Sequence, residues 1–322
     1  MSLKSVLVAS TFLAGSLATA MSAHAATVLL AAGGGGGGTS SGFDGLDALI
    51  TTSGESGGGT HGGAGGASGL GGDGGTQSLG GGGGFGVLGN GGDADQATGG
   101  TGSPSFLGGN GRAFGGRGGG GGGSAAGGGG GGFSGGGGGS GGTGGDLPTY
   151  AAGGGGGSYA APTVTSVVMT AHANGSATPG QDGVNGSVEV GSVTFSNASV
   201  QTYTIPTTGE YFLEAIGGQG GGAKNSDSSG AVSGGFGALV SGDDFLTAGT
   251  VLEIVAGGGG QSGLAFPAFP VVGGGGGGGS FIFEISVGPA VPEPATWALM
   301  AVGFGALGFL GVRRGKLRSA GA

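Results

Sequence analysis

The sequence predicts an all-β protein: a glycine-rich β-sandwich with polyglycine II-like helices or long glycine-rich loops, plus one apolar helix at each end of the chain. Short runs in which apolar residues alternate with polar ones, separated by glycine-rich turns, indicate antiparallel strands. Glycine supplies 101 of the 322 residues. Outside the two terminal segments, no stretch shows the 3.6-residue apolar period of an amphipathic helix.

The first element is a predicted signal helix within residues 1–25. Lys4 gives a short basic start, residues 6–20 are apolar, and Ala23-His24-Ala25 fits the small-x-small rule for signal peptidase. Cleavage is therefore expected before Ala26. An uncleaved N-terminal anchor fits less well, because the apolar stretch is short and the cleavage box is good.

The second element is a glycine tract, residues 33–157, built from glycine runs punctuated by single apolar residues. No three-residue G-X-Y period is present and prolines number only 10, which excludes collagen. Composition alone would predict a disordered linker. The tract is long for a linker and carries regularly placed Phe and Leu, which favours an ordered bundle of extended polyglycine helices bonded amide to carbonyl. Such a bundle predicts partly buried side chains at Phe85, Phe114 and Phe133.

The third element is a β framework that could hold such a bundle in place. Runs rich in Val, Ile, Thr and aromatic residues alternate with a period of two. Asp243 and Asp244 are predicted to form a turn. The predicted strands are residues 27–32, 160–171, 186–190, 192–195, 200–206, 211–216, 236–241, 250–256 and 281–287.

Charge and cysteine usage exclude several function classes. The chain between the two terminal segments has three basic and sixteen acidic residues, a net charge of −13. Such a surface repels nucleic acid and anionic lipid, so no nucleic-acid partner is expected. Cysteine is absent, which removes disulfides, Cys-based zinc sites and thiol catalysis.

Candidate catalytic, cofactor-binding and metal-ligating residues are weak, and none is predicted. Three serines lie in G-x-S-x-G matches, but 101 glycines make such matches expected by chance. The two histidines after the signal segment are far apart and are interpreted as solvated loop residues. Asp93 and Asp95 faintly resemble a calcium-binding repeat, but no second copy follows, so turn aspartates are favoured. The three serines are Ser56, Ser134 and Ser140, and the two histidines are His61 and His172.

The last element is a predicted membrane segment at the C-terminal end. Residues 288–294 form a linker that ends in Pro292-Glu293-Pro294. Residues 295–312 are uncharged and, at ~1.5 Å per residue, reach about 27 Å, close to the hydrocarbon thickness of a bilayer. A basic tail, 313–322, should remain cytoplasmic because positive flanks resist translocation. Its basic residues are Arg313, Arg314, Lys316 and Arg318.

These three parts in order resemble the PEP-CTERM sorting signal of exported Gram-negative proteins. The resemblance covers about a tenth of the chain. It implies processing near Pro292-Glu293-Pro294 by an exosortase-type membrane protease, a transient stay in the inner membrane, and delivery to the outer surface or extracellular space. The implied setting is exopolysaccharide and biofilm production. A plain C-terminal anchor is the alternative.

A second resemblance concerns the segments 201–206, 209–211 and 216–221. They look like the opening of glycine-rich extracellular domains, which implies a β-sandwich with an inserted polyglycine bundle. The remaining motifs of that family come earlier in this chain, at 28–38 and 156–190, so the order looks circularly permuted. The domain 26–287 would then consist of two halves, 26–195 and 196–287. Permutation predicts that 28–32 lies beside 281–287; two independent glycine-rich segments are the alternative.

Three function classes follow from these observations. The preferred one is a non-enzymatic exported structural protein of the cell surface or matrix, without a cofactor. A surface adhesin or carbohydrate-binding module is the second, favoured by a shallow groove lined by Tyr150, Tyr159, Tyr203 or Tyr211. A secreted hydrolase is the third and needs a converging catalytic set.

Overall fold

The computed structural model describes residues 26–103, 105–142, 150–171, 178–224, 231–264 and 271–285. The chain divides into two compact units, Met1–Ile285 and Ser286–Ala322, and every described residue belongs to the first. The predicted signal helix, PEP motif, transmembrane helix and basic tail lie outside the described residues.

The all-β prediction is confirmed for the described part of the chain, which contains strands in antiparallel sheets and no α-helix. The strands are β1 (Ala26–Ala32), β2 (Tyr159–Ala160), β3 (Thr165–Thr170), β4 (Ser187–Val190), β5 (Val193–Phe195), β6 (Val200–Thr204), β7 (Gly209–Ile216), β8 (Ala223–Lys224), β9 (Leu239–Leu246), β10 (Val251–Val255), β11 (Gly263–Leu264) and β12 (Ser280–Ile285).

Ten of these strands form two five-stranded sheets. Sheet 1 has the order β2-β1-β12-β10-β6, and sheet 2 has the order β3-β9-β7-β4-β5. All neighbours within both sheets are antiparallel, whereas β8 and β11 form a separate short parallel pair. The hairpin between β4 and β5 turns at Gly191, whose φ of 61° suits the first position of a tight two-residue turn.

A hydrophobic core lies between the inner faces of the two sheets. Alternate residues of each strand point into it, as the period of two requires. On β7, for example, Leu213 and Ala215 are fully buried, whereas the preceding residue Phe212 points to the opposite face and is exposed. The core includes Leu29, Leu30, Val188, Val190, Leu213, Ala215, Val240, Ile205, Leu252, Ile254 and Ile282.

The strands β1 and β12 pair along their whole length, although they are about 250 positions apart in the chain. Ala26 pairs with Ile285 and Ala32 with Ser280, with one irregularity in between. The expected proximity of 28–32 to 281–285 is therefore present, and residues 286–287 lie outside the described part. β7 belongs to sheet 2, which packs against β1 from the opposite layer.

Both sheets mix strands from before and after residue 196. Sheet 1 contains β1 and β2 beside β6, β10 and β12, while sheet 2 contains β7 and β9 between β3 and β4. The two portions of the sequence therefore share one core rather than forming separate sheets.

The predicted turn at Asp243 and Asp244 is wrong. Both residues lie inside β9, which pairs with β7 from Gly209↔Leu246 to Ile216↔Leu239. The long partner strand overrides the local preference of aspartate for turns, because strand propensity depends strongly on sheet context. β9 also begins at Leu239, later than the predicted residue 236.

The glycine segments continue the strands beyond the sandwich. β1 runs directly into 33–38, β7 into 217–222, and β10 into 257–262. The segments 153–157, 233–238 and 273–279 lead into β2, β9 and β12 in the same way. The spacing of the strands therefore fixes the positions at which the first glycine segments start.

Hydrogen bonds between the glycine segments repeat every third residue. Gly34 and Gly37 both donate to the segment 127–132, at N···O distances of 2.7 and 2.8 Å. Gly35 and Gly38 donate to 217–222, both at 3.0 Å. In total, 33–38 exchanges main-chain bonds with six surrounding segments: 44–48, 127–132, 153–157, 217–222, 233–238 and 273–279.

A second hydrophobic cluster joins the glycine tract to the outer face of sheet 1. Phe85 and Phe106 of the tract pack against Phe281 of β12, with ring centroids 6.1 and 5.8 Å away. Phe133 is half-buried and stacks on a tyrosine of β2. The expected partial burial of Phe114 is wrong, because its side chain is 48 % exposed and belongs to neither hydrophobic cluster.

Close approach of main chains explains why the tract needs glycine. A Cβ at Gly130 would overlap the carbonyl oxygen of Gly34, which is fixed by its own hydrogen bonds. We expect Gly130→Ala to lower the free energy of unfolding by about 3 kcal/mol, since a rigid interior cannot absorb an added methyl group. Thermal or denaturant unfolding followed by circular dichroism measures this loss.

The matched control for this substitution is Gly209→Ala. Gly209 begins β7, has no heavy atom within 4 Å of a built Cβ, and has no left-handed backbone. Its replacement should change the stability by less than about 0.5 kcal/mol. Equal losses at Gly130 and Gly209 would contradict a role of close packing in the tract.

Candidate functional surfaces and the sorting segment

Two of the three serines in the G-x-S-x-G matches hold main-chain groups of the tract, and the third is buried. Ser134 is fully buried, accepts a bond from the amide of Gly69 at 3.0 Å, and donates to the carbonyl of Thr52 at 2.6 Å. Ser56 accepts from the amide of Gly65 at 3.2 Å, and Ser140 is 3 % exposed. Their surroundings are those of side chains that satisfy backbone groups.

Carboxylate and amide side chains accept main-chain hydrogen bonds in the same way, both within the tract and in the later glycine segments. Asp93 accepts a hydrogen bond from the amide of Gly99 at 2.9 Å, so its predicted role as a solvated turn residue is incomplete. Asp182 accepts from the amide of Ser262 at 2.7 Å, and Asn185 accepts from Gly259 at 2.8 Å. No sequence pattern signals these roles, because each depends on which main-chain amide lies opposite the side chain.

The imidazole of His61 in the tract has a local contact. Nδ1 of His61 lies 3.0 Å from Oγ1 of Thr60, and both side chains are exposed. His172 lies outside the described residues. Within the described ranges, no three His, Asp or Glu side chains come together as a metal site would require.

The four tyrosines do not line a common groove. Tyr159 stacks on Phe133 with ring centroids 4.4 Å apart, and Tyr203 packs edge-on against Phe195 at 5.9 Å. Tyr159 and Tyr203 belong to strands at opposite edges of sheet 1, about 19 Å apart at ~4.8 Å per strand. Tyr211 belongs to sheet 2, and Tyr150 is buried. A different surface carries two exposed aromatic residues side by side on neighbouring strands.

That surface is the outer face of sheet 2, which combines exposed apolar side chains with carboxylates. Phe212 is 42 % exposed, Phe245 is 67 % exposed, and Val168 is 54 % exposed. On the same face, Glu189 of β4 is the direct cross-strand partner of Glu214 of β7. Like charges in this position repel one another and destabilise the pairing.

Burial and repulsion raise the pKa of four carboxyl groups. Burial raises the pKa of Glu214 above its ordinary value, and the charge of Glu189 raises it further. Burial, followed by the charge of Asp47, raises the pKa of Glu55. The pKa values of Asp244 and Glu253 are raised mainly by burial.

The C-terminal segment matches a known protein-sorting signal. Residues 290–314 match the PEP-CTERM protein-sorting motif. The matched range contains Pro292, Glu293 and Pro294 and ends at Arg314. This PEP-CTERM motif implies an exported protein that is anchored in the membrane and then processed by an exosortase. No curated protein and no solved structure matches the chain significantly.

Most predicted sorting residues fall outside the part of the chain that the structure describes. Only Ala26, the predicted first residue after signal cleavage, lies within it, as the first residue of β1. Ala23, Ala25, the PEP residues and the basic tail lie beyond it. In the described residues, no helix has the length and apolar character that crossing a membrane requires.

The raised carboxyl pKa values predict a stability that falls as the pH rises. A carboxyl whose pKa is higher in the folded state binds its proton more tightly there, so unfolding releases protons above the ordinary pKa of about 4.3. We expect a higher melting temperature near pH 5 than near pH 7.5. Glu214→Gln should flatten this dependence and stabilise the protein at neutral pH by about 0.5 kcal/mol.

Glu210→Gln provides the control for Glu214→Gln. Glu210 is exposed on the same strand, and its substitution removes the same net charge. Melting curves of both variants across this pH range compare local repulsion with overall charge. A stability change at Glu210 as large as that at Glu214 would mean that the effect comes from net charge alone.

Proposed function

We propose that the chain is a non-enzymatic structural protein of the cell surface or extracellular matrix, sorted through its PEP-CTERM segment in an exopolysaccharide-producing or biofilm setting. The observation that carries this proposal is the use of the polar groups of the glycine tract. Its serines, aspartates and asparagines accept hydrogen bonds from glycine amides, as Ser134, Asp93 and Asn90 do. Hydrogen bonds between glycine main chains join a large share of the chain into one framework.

We infer that this framework is a bundle of polyglycine II helices. A threefold helix turns successive N–H groups toward three different neighbours and returns to the first at every third residue. The segment 127–132 supports this inference as well as 33–38 does. It donates to 273–279, to 151–154 and to 82–85, and it accepts from 34–37, from 136–139 and from Gly121.

We also infer a circular permutation of the glycine-rich extracellular domain. The pairing of β1 with β12 supports it, because the segments that would be consecutive in the usual order lie side by side. The strands from 26–195 and 196–285 then complete one sandwich between them.

A surface adhesin or carbohydrate-binding module is the second candidate function. Exposed Phe212 and Phe245 on the outer face of sheet 2 favour it, since aromatic rings next to polar groups suit contact with sugars or proteins. Glycan-array binding by the exported protein that is lost in Phe212→Ser with Phe245→Ser would support this candidate over a purely structural role.

The structural role predicts that an intact tract is needed in the matrix. Cells exporting the wild type, Gly130→Ala or Gly209→Ala are compared, and the protein and polysaccharide retained after washing are measured. We expect retention to fall several-fold for Gly130→Ala and to stay unchanged for Gly209→Ala. Equal retention of all three proteins, with Gly130→Ala shown to be unfolded, would reject the structural role.

The sorting route predicts a specific effect of the PEP residues. With an epitope tag after Ala322, the wild type should lose the tag on processing, whereas Glu293→Ala should keep it and remain in the inner membrane. Fractionation and blotting for the tag measure both outcomes, and N-terminal sequencing should find Ala26 first in each. If both proteins keep the tag and fractionate alike, the segment serves only as an anchor.

A further inference from the structure

The four outer edges of the two sheets differ in how they are protected. Natural sheets shorten, bend or cover their edge strands, because unpaired main-chain groups invite pairing with another chain. β2 has only two residues, and the ring of Phe133 stacks on its Tyr159. β5 has three residues. β3 has a register shift between Thr165 and Val168, and Ser166 between them has a left-handed backbone with a φ of 53°.

β6 has none of these protections in the described part of the chain. Its five residues pair with β10 in continuous register, from Val200↔Val255 to Thr204↔Val251. Its other side has no partner strand in sheet 1. Thr202 and Thr204 are exposed.

The direction of the free main-chain groups follows from the antiparallel ladder. The amide of Ile205 donates to the carbonyl of Thr250 at 2.9 Å, so Ile205 points its main-chain groups toward the side of β10. Along a strand, the main-chain N–H and C=O groups of successive residues point alternately toward one neighbouring strand and the other. Val200, Thr202 and Thr204 therefore direct their N–H and C=O groups away from the sheet, and their side chains lie on its outer face, opposite to Tyr203 and Ile205.

Charge selects the partner of this edge. Residues 197–208 contain no charged side chain, whereas the chain between its terminal segments has a net charge of −13. The edge strand itself therefore adds no charge to the repulsion between two copies, and the carboxylate next to it is that of Glu253, opposite Thr202 on β10. The edge is also self-complementary: an antiparallel copy centred on Thr202 places Thr202 opposite itself and Val200 opposite Thr204, which are favourable cross-strand pairs.

We propose that β6 is a self-association edge, through which two copies of this chain pair antiparallel about a two-fold axis at Thr202. Each of the three facing residue pairs exchanges two main-chain bonds, as hydrogen-bonded pairs of an antiparallel ladder do. The contact joins sheet 1 of both copies into one ten-stranded sheet. Its area is small, so the dimer is reversible and forms at high local concentration. The pairing does not depend on the proposed matrix role.

The first test removes the donor at the centre of the edge. Thr202→Pro loses an N–H that faces away from β10, so the ladder within the molecule is kept, as for prolines on natural edge strands. Sedimentation equilibrium of the exported protein should show the wild type approaching twice the monomer mass as its concentration rises. Thr202→Pro should remain monomeric with unchanged circular dichroism. A monomeric wild type, or a dimeric Thr202→Pro, would overturn the proposal.

The second test fixes the register and does not depend on the proline variant folding. The chain has no cysteine, so Thr202→Cys introduces a single thiol. Across the two-fold axis the Cα atoms of the two copies lie about 5.5 Å apart, within reach of a disulfide. Mild oxidation should therefore convert Thr202→Cys into a covalent dimer.

Thr204→Cys is the matched control on the same strand and face. In the proposed register its two thiols are displaced by four residues, about 14 Å at ~3.4 Å per residue, which is too far for a disulfide. It should form at least ten-fold less covalent dimer than Thr202→Cys in the same time. Equal cross-linking of both variants, or none at Thr202→Cys, would overturn the two-fold pairing.

Discussion

Main-chain hydrogen bonding between glycine segments is the constraint on which the rest of this structure depends. Each extended segment leaves its amides and carbonyls unsatisfied unless neighbours approach within about 3 Å, and buried groups of this kind must be paired. Only residues without a Cβ allow that approach on several sides at once, as the surroundings of Gly34 and Gly130 show. Ordering so much glycine costs more backbone entropy than any other sequence would. The sandwich offsets this cost by holding the segments that leave β1, β7 and β10 at fixed spacings.

The fold was predictable from the sequence to the extent that it follows a period of two. The runs around Val188, Leu213 and Ile254 alternate clearly, and each became a strand with its apolar side in the core. Asp243 and Asp244 were mispredicted because their strand is specified by pairing with β7, not by local composition. The burial of Phe106 could not be predicted either, since it depends on which glycine turn reaches sheet 1.

The functional features divide in the same way. The PEP-CTERM segment has a linear motif and a run of hydropathy, so the sequence was sufficient to find it. The acceptor roles of Asp93, Asp182 and Ser134 needed the three-dimensional neighbours of particular glycine amides. The outer face of sheet 2 needed the register that places Glu189 opposite Glu214, which no pattern within one strand reveals.

The pairing of the first strand with the last sets the order of events during biogenesis. Sheet 1 has β1 and β12 at its centre, and the segment 273–279 lies among glycine segments from much earlier in the chain. Contacts of such long sequence separation form late and slowly. When the chain is exported with its N-terminus first, β1 therefore has no β12 to pair with until nearly all of the chain has crossed the membrane. A chain truncated before β12 lacks the middle strand of sheet 1, so this sheet cannot be completed until residue 285 has been made.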